Sequence, residues 1–110
     1  MKYLSTRDHS LKKSFNEILY QGLSKDGGLY LPVEWPTIDI ENLQNKSYED
    51  VALEIIFPFV KENFSKKDLQ NILYDSYANF RHKKRAPVKE LEKNKYILEL
   101  IYGPTYAFKD

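Results

Sequence analysis

The sequence predicts an α+β fold, with about three helices packed on a small, mostly antiparallel sheet. Three observations carry this reading. Three stretches repeat apolar residues at helical spacing, each behind a serine placed to cap it: Ser14, Ser47 and Ser65. Short apolar runs of strand length, Leu29–Leu31 and Tyr96–Ile101, lie between and after them. Turn residues stand at the joins, Asp26-Gly27-Gly28 in one place and Asn94 in another.

Taken in order, Tyr3-Leu4-Ser5-Thr6 reads as a short strand. Arg7, just after it, reads equally as an anion contact or as a brace at the strand end. Ser14-Phe15-Asn16-Glu17 is a capping box, with the serine capping an N3 amide while Glu17 reaches back. Phe15, Ile18, Leu19 and Leu23 follow at helical spacing, and Gly22 is a stop, so the helix is placed at Phe15–Gln21. Asp26-Gly27-Gly28 makes a tight turn that ordinary residues could not adopt. It leads into a strand at Leu29–Leu31, ended by Pro32. Pro32–Asp39, with its two prolines and Trp35, is a rigid connection, and a brief helical turn is placed at Ile40–Asn45.

Ser47 opens the longest periodic stretch. Tyr48, Val51, Ala52, Ile55, Ile56, Phe59 and Val60 make a continuous apolar face, read as core-facing. Pro58 removes a helix hydrogen bond, so a kink or an early end near Ile55 is expected. Ser65 caps the third helix, whose buried stripe is Leu69, Ile72, Leu73, Tyr77 and Phe80. Arg81-His82-Lys83-Lys84-Arg85 reads as a solvated basic loop. Neutralising its Arg and Lys residues together is expected to leave stability nearly unchanged. Pro87–Leu91 and Lys95–Ile101 form a hairpin over Glu92-Lys93-Asn94. The second strand is apolar on both faces except Glu99, and is expected to lie inside a larger packed structure.

Composition sets the outer bounds. The 110 residues suit one domain, and 42% hydrophobic with 15% aromatic residues can build a core. Seventeen basic residues against sixteen acidic leave a net charge of +1, which argues against a dedicated nucleic-acid binder. There is no cysteine, so disulfides, thiolate metal sites and cysteine nucleophiles are excluded. His9 and His82 lack partners at ligand spacing, and no metal is expected. The N-terminus lacks an apolar signal core, and the longest apolar run, Ile55–Val60, is too short to span a membrane. A cytoplasmic protein with no membrane partner is the simplest expectation. The glycines form neither G-x-G-x-x-G nor a P-loop.

The chain is organised around Leu98–Asp110. An apolar strand is broken by Gly103-Pro104, small and aromatic residues follow, and then comes Lys109. The order is strand, tight loop, and a lysine at the expected start of a helix. A helix N-terminus carries roughly +0.5 of a charge and disfavours an ammonium. Tyr106, Ala107 and Phe108 would add desolvation in the same direction. A neutral amine is the form that attacks an aldehyde to make a Schiff base. The same lysine also reads as an ordinary surface residue.

Leu98–Asp110 resembles the signature of threonine synthase, Leu-Glu-Leu-Phe-His-Gly-Pro-Thr-x-Ala-Phe-Lys-Asp. Leu98, Glu99, Leu100, Gly103, Pro104, Thr105, Ala107, Phe108, Lys109 and Asp110 match it. Ile101 and Tyr102 stand where Phe-His is usual, and Tyr106 fills the variable position. The tracts Gln21-Gly22-Leu23 and Asp26–Pro32, and Ser5-Thr6-Arg7, resemble the same family's N-terminal domain. The resemblance implies that Lys109 is the catalytic and cofactor-binding lysine of a pyridoxal 5'-phosphate enzyme. That enzyme would convert O-phosphohomoserine and water to threonine and phosphate. It implies an N-terminal domain over residues 1–95 and the start of the catalytic domain over residues 96–110. The chain is then expected to be a truncated fragment, inactive alone and prone to self-association through its last strand. The alternatives are a threonine-synthase-like phospho-lyase acting on a related phosphorylated substrate, and a noncatalytic interaction module.

Overall fold

The computed structural model describes all 110 residues, Met1–Asp110. Three short strands form the first sheet: β1 (Tyr3–Ser5), β2 (Lys12–Lys13) and β3 (Tyr30–Pro32), in the order β2-β1-β3, all antiparallel. Tyr3 pairs with Lys13 on one side and with Pro32 on the other. Pro32 therefore lies within the strand, one residue beyond the expected end. It is tolerated because β3 is an edge strand, where a missing N–H breaks no ladder.

Helix α1 (Phe15–Gln21) has the expected capping box, with both reciprocal bonds formed between Ser14 and Glu17. Gly22 closes it at φ +70°, its N–H donating to Ile18 O at 2.9 Å. A 3-10 turn at Glu41–Leu43 falls where a brief helical turn is expected. Helices α2 (Tyr48–Val60) and α3 (Lys66–Ala78) are capped by Ser47 and Ser65, each accepting from the backbone N–H three residues on.

These two helices hold the core. Leu53, Val60, Leu69 and Leu73 are buried, with Ala52, Ile56, Phe57, Phe59, Phe64 and Tyr77 packed around them. Phe15 joins from α1, and its ring packs tilted against Tyr3 and edge-on against Phe64, at centroid distances of 6.2 and 6.1 Å. The Tyr3 hydroxyl donates to Phe59 O at 2.8 Å, which pins the sheet to α2. Trp35 anchors the proline-rich connection edge-on against Phe59 at 6.3 Å, although most of its surface stays exposed.

Four expectations need correction. First, α2 does not end near Ile55 but runs through Pro58 to Val60. A proline inside a helix costs about 3 kcal/mol, but burying a large apolar side chain returns about 1.5–3 kcal/mol. Val60 is buried and Phe57 and Phe59 pack on the core, so their burial outweighs the lost hydrogen bond. Second, the apolar face of α2 is split. Leu53, absent from the expected stripe, is the deep residue with Val60, while Tyr48 and Ile55 are partly exposed. Val51, Ala52, Ile55 and Ile56 line an open apolar groove of about 260 Å³ with Tyr48 and Tyr77. Third, α3 ends at Ala78, so Phe80 is not in its stripe and Ile72 is exposed. Phe80 packs back on Tyr77 at 5.2 Å from outside the helix.

The fourth correction concerns the hairpin. Strands β4 (Val88–Glu92) and β5 (Lys95–Leu98) form a second, separate antiparallel sheet. Its turn is Lys93-Asn94, with Asn94 at φ +64°, and a bulge lies between Glu90 and Glu92. Every residue of both strands is exposed, which agrees with a strand expected to pack only inside a larger structure; the corrections are its separate sheet and its early end. The radius of gyration, 16.5 Å, exceeds the roughly 13–14 Å of a compact domain this size because the hairpin projects. β5 also ends three residues before Ile101. Glu99 N still donates to Pro87 O at 3.0 Å, but the carbonyls of Ile101 and Tyr102 turn instead toward Arg81.

Candidate active site

The segment after β5 closes into a loop. Tyr106 N donates to Gly103 O at 3.3 Å and Asp110 N to Ala107 O at 3.2 Å. The Asp110 carboxylate folds back across the loop and accepts Thr105 N–H at 2.8 Å and the Thr105 hydroxyl. A Cβ at position 103 would overlap the Asp110 side chain, so glycine is required there for close approach. Gly103, Thr105 and Asp110 thus form one clasp, which presents Ala107-Phe108-Lys109 on its outer turn. The Thr105 hydroxyl, ahead of other contacts, holds the Asp110 carboxyl below its ordinary range.

Lys109 lies in this turn, one residue before the last. No helix follows it within these residues, so no helix dipole acts on the amine here. Nor is the amine desolvated: Tyr106 and Phe108 are each 72% exposed, and Lys109 is exposed between solvent and the Phe108 ring, 5.7 Å from its centroid. Lys109 makes no hydrogen bond or ion pair with the rest of the chain.

The loop is braced by the basic run, which is not simply solvated as expected. Arg81 N donates to Tyr102 O at 2.9 Å. Its Nη2 donates to Ile101 O and, at 3.2 Å, to Gly103 O. The guanidinium lies over the Tyr106 ring at 3.7 Å, a cation–π contact. Tyr106 sits at φ +62°, a left-handed conformation uncommon outside glycine. Arg85 reaches in the other direction and pairs with Glu49 in the first turn of α2, both side chains largely buried. Lys83 and Lys84 are exposed and have no acidic partner. His82 packs on Tyr102 at 4.8 Å, and the Tyr102 hydroxyl donates to Glu99 at 3.0 Å. That bond, first among its contacts, raises the phenol above its ordinary range.

Behind the loop is a cleft of about 90 Å³ lined by Tyr48, Phe80, Arg85, Leu100, Gly103 and Asp110 among others. Ligand pockets usually span about 300–1,000 Å³, so this cleft is a packing gap and not a ligand site.

Ser5-Thr6-Arg7 is placed elsewhere. The Ser5 hydroxyl donates to both Asp26 carboxylate oxygens at 2.9 and 2.8 Å, and Gly28 N donates to the same carboxylate at 2.8 Å. Arg7 Nη1 donates to Asp26 O at 3.0 Å. A Cβ at Gly28 would overlap the Ser5 hydroxyl. The glycine turn and the Ser-Thr-Arg tract are therefore one structural knot, in which Arg7 braces the strand end. No hydrogen bond or ion pair joins this knot to the Lys109 loop.

The sequence singles out Lys109, but not Arg81, Arg85 and Glu49, whose contacts hold this region together. A signal was present. Arginine stands at both ends of the basic run, and its planar fork suits carbonyl and carboxylate acceptors better than lysine does.

Fold and site define a class: a small α+β domain whose hairpin leads into a clasped, lysine-bearing loop. The family model described as "Threonine synthase N terminus" matches residues 2–77. Threonine synthase of Pseudomonas aeruginosa is 37% identical over the whole chain, and that of Schizosaccharomyces pombe is 39% identical over the whole chain. A pyridoxal-phosphate-bound threonine synthase structure from Brucella melitensis superposes with a TM-score of 0.92 at 40% identity over 99% of the chain. The chain belongs to the threonine synthase family, as its N-terminal domain. It spans about a quarter of these relatives: 24% and 22% of the two sequences and 24% of the solved chain.

Proposed function

We propose that this chain is the N-terminal part of a pyridoxal-phosphate-dependent threonine synthase, with Lys109 as its catalytic and cofactor-holding residue. Residues 1–95 form the N-terminal domain, and residues 96–110 begin the catalytic domain. The substrate is O-phosphohomoserine, the products are threonine and phosphate, and the compartment is the cytoplasm. No helix is long and apolar enough to cross a membrane, in keeping with that placement.

One observation carries the reading. The family signature folds into a clasped loop that leaves a single unpaired amine on its outer turn. This donor set fits the cofactor in one respect: an unpaired primary amine is what holds pyridoxal phosphate through its aldehyde. When bound, the cofactor supplies an electron-withdrawing ring that stabilises negative charge next to the reacting carbon. This chain contributes the amine and its placement. Lys109 holds the cofactor and moves protons at the substrate carbons, Thr105 and Asp110 fix the turn that carries it, and Gly103 permits their approach. The cleft behind the loop is too small for the cofactor, so these residues by themselves supply no phosphate cradle.

The test uses the full-length protein. Lys109→Ala is expected to lose covalent capture of pyridoxal phosphate and all turnover. Lys109→Arg is expected to fail as well, since a guanidinium stays protonated. Undiminished capture and turnover in either variant overturns the assignment. Release of a ketoacid in place of threonine would identify a phospho-lyase of the same family.

A further inference from the structure

We propose that Arg81 is a positioning residue for Lys109, fixing the Ile101–Asp110 loop to the end of α3. The inference rests on the reading of Lys109 as the cofactor-holding amine.

Arg81 stands at the junction of the two parts. Two residues before it, Asn79 caps α3, and Phe80 N still donates to Tyr77 O at 3.2 Å. The Phe80 ring packs on Tyr77, which itself packs against the buried core. Arg81 is thus rooted beside the packed core. From there it makes four contacts with the loop and none elsewhere. Its backbone N–H takes Tyr102 O, its guanidinium takes Ile101 O and Gly103 O, and its flat face covers Tyr106.

The loop needs this support. β5 ends at Leu98, so the carbonyls after it have no ladder partner and receive Arg81 instead. Apart from the Arg81 contacts and the packing of His82 on the Tyr102 ring, the loop is closed by its own short-range bonds: Tyr102 to Glu99, Tyr106 to Gly103, Asp110 to Ala107, and Thr105 to the Asp110 carboxylate. Such bonds shape a turn but cannot fix its orientation on the domain. The left-handed backbone at Tyr106 is held from outside by the guanidinium stacked on its ring. Lys109, three residues further on, inherits its direction from that point. Only an arginine does all of this, since it combines several planar donors with a face that stacks on an aromatic ring. A lysine could keep one carbonyl bond and would lose the stacking.

The experiment compares Arg81→Gln, Arg81→Lys and Lys109→Ala with the unaltered full-length protein. Amide hydrogen exchange is measured on the cofactor-free protein, resolved to residues 101–110 and to the α2–α3 core. The rate of pyridoxal phosphate capture at Lys109 is read by borohydride reduction and peptide mapping. Arg81→Gln is expected to speed exchange in the loop about tenfold and to slow capture about tenfold, roughly the loss of one charge-assisted bond. Core exchange is expected to stay unchanged, and Arg81→Lys to recover part of both effects. Lys109→Ala is expected to abolish capture without changing loop exchange. Unchanged loop exchange in Arg81→Gln overturns the inference. So does faster exchange spread equally into the core, which would make Arg81 a general stabiliser. Faster loop exchange with an unchanged capture rate overturns it too. Should capture in the unaltered protein fall on lysines other than Lys109, the parent reading fails by that result alone, whatever Arg81→Gln does to exchange, and the inference falls with it.

Discussion

Removing the carboxylate of Glu49 should be the most damaging single polar change in the domain. Glu49 lies in the first turn of α2 and is 8% exposed. Its partner Arg85 is 36 residues away in sequence, and the side chains of the pair are 11% and 19% exposed. Arg85 has one further acceptor, Lys83 O at 2.6 Å, and its Nε is buried without a partner. In Glu49→Ala the guanidinium would keep its charge and lose its only anionic neighbour. Breaking a buried pair from one side costs about 3–5 kcal/mol. The residual exposure of Arg85 lets water reach it, so the lower end, about 3 kcal/mol, is expected. Urea unfolding of the 110-residue chain reads this directly. With a slope of about 1–3 kcal/mol per molar, the midpoint should fall by about 1 M or more. Arg85→Met, alone and combined with Glu49→Ala, completes the cycle. The double variant should be clearly milder than the sum, because no charge is left stranded. A loss below about 0.5 kcal/mol in Glu49→Ala, or strict additivity in the cycle, would mean the pair behaves as a solvated surface pair, and the reasoning fails.

Neutralising Lys83 and Lys84 together should move stability by no more than about 0.5 kcal/mol each, whereas adding Arg85 to the set should reproduce most of the Glu49 loss; equal effects from the two sets would contradict the division of the basic run made here. The Glu17 carboxyl is drawn down to about 2, first by the Ser14 backbone N–H and then by the Ser14 hydroxyl. A depressed folded pKa gives stability that is present above the ordinary carboxyl range and is lost as pH falls from about 4.5 toward 2. Glu17→Gln should therefore flatten the α1 unfolding profile across that window, and an unchanged profile would remove the capping box as its cause. The 110-residue chain should fold and self-associate through its exposed hairpin. Its accessible surface is 8329 Å², against about 6,400 Å² for a typical folded monomer of this mass. Sedimentation should show dimers or larger species that disappear when Tyr96 and Ile97 are both changed to lysine; a monomer at high concentration contradicts this. In that same chain pyridoxal phosphate should label several lysines without preference for Lys109, and selective labelling would show that these residues already build a site.

What was legible in the sequence was local. Ser14, Ser47 and Ser65 cap their helices through a side chain that reaches only three residues, so the pattern and the bond are the same information. Gly22 and Asn94 likewise announce the positive φ that each adopts. What was not legible depends on partners far along the chain. Pro58 stays in its helix because Val60 reaches a core built with Leu69 and Leu73, and a propensity argument contains no term for that burial. Nothing near Glu49 in the sequence marks it as buried, because its reason for being buried, Arg85, lies beyond the next helix. The lysine could be found from thirteen consecutive residues, but not its support. Arg81 is separated from Ile101 by 20 positions and from Gly103 by 22, with a whole hairpin between them. A motif names the residue that meets the chemistry, because that residue type is fixed by the reaction. The residue that aims it is fixed only by geometry. It can come from any element the fold brings near, and the one proposed for Lys109, Arg81, comes from a run that composition assigns to solvent.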